Sequence, residues 1–167
     1  MVAFATGIIK GWSHLNAFEI IRHPWFVSAF LAGGAAQFIK LVTGWVRTRR
    51  LDLHGMVEPG GMPSAHSALV TALAVAVGLT EGFDAPASMI AVGLGTITMA
   101  DAVSIRRAAG EHARLLNRIA SRLNESDRFE ADRLRERLGH TRLEVIAGIL
   151  FGILVALCVC GFWDFWK

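Results

Sequence analysis

Residues Leu143–Phe162 read LEVIAGILFGILVALCVCGF, with a single charge at Glu144. An α-helix rises about 1.5 Å per residue, so this run covers about 30 Å, the thickness of a bilayer's hydrocarbon core. A helix of that length that is apolar on every side reads as a membrane span. Three more runs share its character, at about residues 25–46, 64–81 and 86–104. The second is the shortest: its apolar part ends near Leu79 and gains length through Thr80 and Glu81. Together they predict an all-α integral membrane helical bundle with about four transmembrane helices, forming one domain over residues 1–167. Composition agrees, because 53% hydrophobic residues and a mean hydropathy of +0.46 are too apolar for an ordinary soluble domain.

Upstream of the spans, residues 1–22 form an amphipathic segment carrying Phe4, Ile8, Ile9, Trp12, Leu15, Phe18 and Ile20. It either lies in the membrane interface or packs on the bundle. It lacks the basic region, clean apolar block and cleavage site of a removable signal peptide. Downstream, Trp163, Phe165 and Trp166 suit an interfacial aromatic anchor. Cys158 and Cys160 sit inside the last apolar run at a spacing that fits neither a disulfide framework nor a zinc ribbon. They read as small core or lipid-facing residues.

The three connections differ sharply. Residues 47–63 are polar and end in Pro59-Gly60-Gly61-Met62-Pro63, a turn-rich lead into the second span. Residues 80–85 are short and acidic. Residues 105–142 form a polar, Arg-rich loop with ten arginines and six acids, in which Leu115, Leu116, Ile119 and Leu123 recur at helical spacing. That spacing predicts an amphipathic surface helix. With four spans, the first and third connections share one side. The positive-inside rule puts that side in the cytoplasm, in a multi-pass protein of the cell (inner) membrane with both termini outside.

The unusual polar residues fall on that same side. Lys40 and Arg47 are separated by six residues near the end of the first span, roughly 10 Å apart along the axis. Lys40 reads either as an interface lysine whose ammonium snorkels to water or as a ligand for an anion. Arg49 and Arg50 read as topogenic, headgroup-facing residues. In Gly60-Gly61-Met62-Pro63-Ser64-Ala65-His66-Ser67, the glycines permit close backbone approach and Pro63 suits a helix start. Ser64 can cap that helix, leaving N–H groups for an anion, and His66 stands one turn in, positioned to give up a proton. The plainer reading is a helix cap beside a hydrogen-bonded histidine.

Asp101 is a carboxylate at a membrane segment's end, costly there unless paired, and Arg106 and Arg107 follow it. A structural ion pair and a supporting role in a site both fit. His140 precedes the last span with Glu144 at i+4, a spacing that on one helical face lets the carboxylate hold Nδ1–H and leave Nε2 free as a nucleophile. The histidines and acids also have the chemistry of metal ligands, but the surrounding arginines and Lys40 repel a cation, so no metal is expected.

On these residues the chain resembles the divergent PAP2 family, distant relatives of the type 2 phosphatidic acid phosphatases and vanadium haloperoxidases. The matches are Lys40-x6-Arg47, Gly60–Ser67, Asp101-Ala102 with Arg106-Arg107, and Leu138-Gly139-His140-Thr141 with Glu144-Val145. They run from about residue 25 to 155. The resemblance implies a metal-independent phosphatase on an all-helical bundle, requiring no cofactor. Carried over to these positions, Lys40 and Arg47 bind phosphate, Ser64 adds a hydrogen bond, His66 protonates the leaving alcohol, His140 attacks phosphorus and Glu144 orients His140. The chain departs from the wider pattern of Lys-x6-Arg-Pro, Pro-Ser-Gly-His and Ser-Arg-x5-His-x3-Asp at several places. Thr48 replaces the proline, Ala65 the glycine, and Glu144 the usual Asp; no Ser-Arg precedes His140 at the expected spacing. Arg106 or Arg107 is the candidate to supply that missing cation. Arg106-x5-His112 matches part of the third motif too, but Leu116 replaces its acid, which favours His140.

The expectation is therefore a membrane phosphatase acting on a lipid or prenyl phosphate or diphosphate through a phosphohistidine. The alternative is non-catalytic binding or transport of anionic lipid headgroups by the same cations. Its partners are then the lipid or isoprenoid phosphate and the surrounding membrane lipids, with no nucleic acid. Four spans are fewer than the usual six, so a homodimer is one way to enclose the site.

Overall fold

The computed structural model describes residues 17–49, 61–124, 134–136 and 138–166. Six helices are found among them: α1 (Ala17–Arg22), α2 (Pro24–Thr48), α3 (Ala65–Glu81), α4 (Pro86–Val103), α5 (Ile105–Asn124) and α6 (Arg142–Trp166). The described residues contain no strand, and the chain is an all-α membrane bundle. Most of the amphipathic segment expected at residues 1–22 lies outside the described residues, as do the side chains of Arg47, Phe165 and Trp166.

Local chemistry explains the helix limits. Pro24 and Pro86 occupy the first turns of α2 and α4, where the missing N–H costs nothing. α2 stops where Arg49 turns left-handed (φ 56°), its N–H donating to Trp45 O at 2.8 Å. Gly82, at φ 97°, ends α3 in a conformation that favours glycine. Three stretches are long and apolar enough to cross a bilayer: Pro24–Val46, Arg142–Trp163 and the helical run that starts at Pro86. α3, with 17 residues, is the shorter fourth. At about 1.5 Å per residue it spans roughly 25 Å.

The short helix is the central one, packing against α2, α4 and α6. Its neighbours approach closely because the core is built from small side chains: Ala32, Ala36, Ala68, Ala72, Ala76, Ala156 and Cys160. α2 runs antiparallel to α3. Trp25 Nε1 donates to Thr80 Oγ1 at 2.6 Å at one end, while the stem of Lys40 lies beside Gly61 at the other. α6 runs parallel to α3, with Gly148 against Ser64 and Ser67, and Gly152 against Ala68 and Thr71. A Cβ on Gly148 or Gly152 would come within 2.6 or 2.5 Å of an α3 carbonyl oxygen. The outward sides are large and apolar, with Phe38, Ile90, Ile97 and Leu150 exposed, as suits contact with lipid tails.

These directions bring the end of α2, the start of α3, the end of α4 and the start of α6 to one face. α4 gives way to α5 after Ser104 alone, so the amphipathic helix expected in the Arg-rich loop begins at once and occupies residues 105–124. Residues 134–136 then return along α5. Asn117 Nδ2 donates to Leu134 O at 2.8 Å, and Leu134 N donates to Asn117 Oδ1 at 2.9 Å. Asn117 also reaches Glu136 at 3.0 Å, and Arg114 pairs with Glu136 at 3.6 Å.

Candidate functional site

At the face where those four helix ends meet, a cavity is lined by His66, Thr98, Asp101, Ala102, Arg106 and His140. Its walls come from α3, α4, the first turn of α5 and the segment leading into α6.

His140 is delivered by backbone contacts. Gly139, at φ 86°, passes so close to the α4–α5 junction that a Cβ there would come within 2.6 Å of the Arg107 nitrogen. His140 N then donates to Ala102 O at 3.0 Å, and the side chain is buried, with only 4% exposure. Its Nδ1 meets Glu144 Oε2 at 3.1 Å. The pairing differs in origin from the expectation of a shared helical face, because His140 lies before the helix. The contact arises from a capping box. Thr141 N donates to Glu144 Oε2 at 3.0 Å, and Glu144 N donates to Thr141 Oγ1 at 3.3 Å. One carboxylate thus caps α6 and fixes the imidazole. With Nδ1–H directed at Glu144, Nε2 keeps its lone pair. Burial lowers the His140 pKa below the ordinary imidazole value; the hydrogen bond to Glu144 opposes that fall, while the charges of Lys40 and Arg106 add to it. The ring is held neutral near pH 7, the state a nucleophile needs.

His66 sits in the first turn of α3. The charges of Arg106, Lys40 and Asp101 all reach it, as does His140 across the cavity. Ser64 caps this helix: its hydroxyl accepts from Ser67 Oγ at 3.0 Å and from Ser67 N at 3.4 Å. Ser64 has no exposure and is not among the cavity's lining residues. Its backbone N–H donates to Glu144 O at 3.0 Å, which joins the starts of α3 and α6.

Of the two arginines after α4, one turns inward. Arg106 Nε lies 2.6 Å from Asp101 Oδ2, and both residues line the cavity. Asp101 therefore holds a cation at the site, in keeping with the pairing expected of a carboxylate there. Arg107 instead pairs with Glu111 on the surface of α5 at 3.5 Å. Lys40 is half-buried near the end of α2, close enough for its charge to act on His66, His140 and Glu144. The side chain of Arg47 lies outside the described residues.

Sequence reasoning did not single out Thr98, whose hydroxyl donates back to Leu94 O at 2.8 Å while its side lines the cavity. It stands one turn before Asp101 on α4, and that spacing is its only signal in the sequence. The Thr141-x2-Glu144 capping box and the Gly148-x3-Gly152 spacing carried clearer signals.

The helix ends of this membrane bundle thus gather two histidines and a carboxylate-held arginine around one cavity, with Lys40 near enough for its charge to act on both histidines. The chain belongs to the divergent PAP2 family, whose model matches residues 21–155. It is similar to the uncharacterized membrane protein YuiD of Bacillus subtilis (strain 168), with 36% identity over 155 residues, covering 86% of this chain and 98% of that protein. No solved structure matches it significantly.

Proposed function

We propose that the chain is a membrane-embedded, metal-independent phosphatase acting on a lipid or prenyl phosphate or diphosphate. The observation that carries this reading is the pairing of a buried His140, held at Nδ1 by Glu144, with a second histidine at the same cavity. Binding a headgroup needs cations alone; a neutral imidazole with a fixed tautomer is a requirement of nucleophilic attack.

In the proposed reaction, the phosphoryl group enters between Arg106 and Lys40, whose charges offset the negative charge building on its oxygens. The lone pair of His140 Nε2 attacks phosphorus as the bond to the leaving oxygen breaks. His66 gives its proton to that oxygen, releasing the alcohol or, from a diphosphate, the shorter phosphate. Water then attacks phosphorus and the P–N bond breaks. His66 takes the water's proton, inorganic phosphate leaves, and both histidines return to their starting states. A lipid tail suits this setting, because the outward sides of the bundle's helices are large and apolar.

The test is phosphate release by purified protein from a panel of lipid and prenyl phosphates, alongside His140→Ala. Turnover that this substitution abolishes supports the reading. Headgroup binding without turnover on any substrate would replace it with the non-catalytic alternative. The same proposal puts the site at the cytoplasmic face of the cell membrane, on the strength of the arginines of α5. Labelling of Ser121→Cys from outside intact cells, in a variant lacking Cys158 and Cys160, would reverse that orientation.

A further inference from the structure

The proposed chemistry uses only Arg106 of α5, yet α5 is the most two-sided helix described. Three bands run along it at about 100° per residue. One band, Gly110, Ala113 and Asn117, lies on the side met by Leu134, Glu136 and Leu138 of the returning chain. A second holds Ile105, Leu115, Leu116 and Ile119, which are 68%, 54%, 52% and 47% exposed. The third, beside it, carries Arg107, Arg114, Arg118 and Arg122. Among the described helices, α5 packs against α4 alone, the helix it continues.

We propose that α5 docks on a bilayer surface bearing acidic phospholipid headgroups, its leucine and isoleucine band seated at the acyl boundary and its arginines among the headgroup phosphates. Three observations carry this. The helix starts one residue after a membrane-spanning helix ends, so its first turn is already at the membrane face. Of its five arginines, Arg106, Arg107 and Arg114 meet Asp101, Glu111 and Glu136, so Arg118 and Arg122 are the charges that complement an acidic surface. Arginine's planar fork also matches phosphodiester oxygens. The exposed apolar residues form a band beside the arginines, as an interfacial helix requires. A second copy of the chain fits this face less well, because pairing two such helices sets arginine band against arginine band. Docking is independent of turnover at the cavity.

The test uses the full chain in nanodiscs of phosphatidylcholine, with and without phosphatidylglycerol. Nitroxide labels are placed at Leu116→Cys and, separately, Ser121→Cys, in a background carrying Cys158→Ala and Cys160→Ala. In acidic nanodiscs the label at 116 is expected to be shielded from a water-soluble relaxant and reached by oxygen, while the label at 121 stays exposed to water. Arg118→Gln with Arg122→Gln is expected to lose the shielding at 116, as is the parent protein in neutral nanodiscs. Hydrogen exchange over α5 in the unlabelled protein gives the same comparison without the cysteine changes, and slower exchange in acidic nanodiscs is expected. Equal exposure of both labels in both lipids overturns the proposal. So does shielding that does not depend on acidic lipid, with or without spin–spin broadening between two copies.

Discussion

The backbone N–H of Ser64 donates to the carbonyl oxygen of Glu144 at 3.0 Å. That bond joins the cap of the helix that carries His66 to the first turn of the helix that orients His140. The two histidines are therefore placed relative to one another by the close, parallel α3–α6 contact together with the bond from His140 N to Ala102 O. The chemistry of the cavity depends on how near those helices come.

Gly148→Ala and Gly152→Ala test that contact. Helix propensity alone favours alanine by about 1 kcal/mol. Against it, the added methyl groups would stand within 2.6 and 2.5 Å of α3 carbonyl oxygens, and overpacking of that kind costs about 1–3 kcal/mol. The clash is expected to win, lowering the thermal midpoint in detergent. Gly161→Ala meets nothing within 4 Å and serves as the control, with its midpoint unchanged or raised.

A pH profile tests the pairing of His140 with Glu144. Burial depresses the imidazole pKa, and Glu144 opposes this by hydrogen bond and charge. The neutral His140 ring is the reactive form and His66 must carry the proton it gives away, so the profile should have an acid limb set by His140, below the ordinary imidazole value, and a separate alkaline limb set by His66. Glu144→Gln removes the charge that raises the pKa, so the acid limb should move to still lower pH while the plateau rate falls. Stability should decrease in the wild type as pH drops from the ordinary imidazole value towards the depressed one, because the unfolded chain binds the proton more readily. An acid limb that moves upward in Glu144→Gln would contradict the assignment.

Leaving groups distinguish the role of His66. A general acid contributes about 10²–10⁴-fold when the departing oxygen is a poor leaving group. His66→Gln is expected to slow phosphate release from an alkyl or prenyl phosphate by that order, and to affect an aryl phosphate with an acidic phenol far less. Equal losses on both substrates would assign His66 to binding.

Asn117 holds the segment that leads back towards His140, bonding both backbone groups of Leu134. Asn117→Leu keeps the volume and removes the bonds, at about 1 kcal/mol each. Hydrogen exchange in residues 134–136 should accelerate while the α3 core keeps its protection. Unchanged exchange would mean that Arg114 and Glu136 suffice to hold the segment.

Much of the framework was legible because membrane spans announce themselves by length and apolarity. The expected runs at 25–46, 64–81, 86–104 and 143–162 coincide closely with α2, α3, α4 and α6. Prolines 24 and 86 and glycine 82 mark their limits by backbone restriction alone. The gathering of His66, His140, Asp101 and Arg106 was readable from their common side of the bundle. The split between Arg106 and Arg107 was not, since adjacent residues on a helix point about 100° apart and only the fold decides which is inward. The sequence reads Ser64 as a cap and a phosphate ligand; its cap is formed, its hydroxyl oxygen accepts from Ser67, and it does not line the cavity. Thr98 was missed because a membrane-helix threonine that bonds to its own backbone gives no sign of what its other side faces.

The parallel pairing of α3 with α6 also sets an order of assembly. α6 follows every other described helix in the chain, so during synthesis α3 reaches the membrane well before its closest partner exists. Until then the Ser64 N–H lacks the Glu144 oxygen, and the small-residue side of α3 has no neighbour along Gly148 and Gly152. His140 and Glu144 arrive with that same final segment. A partly inserted chain would therefore have no complete cavity, and the Glu144-held imidazole would be formed in the step that seals the bundle.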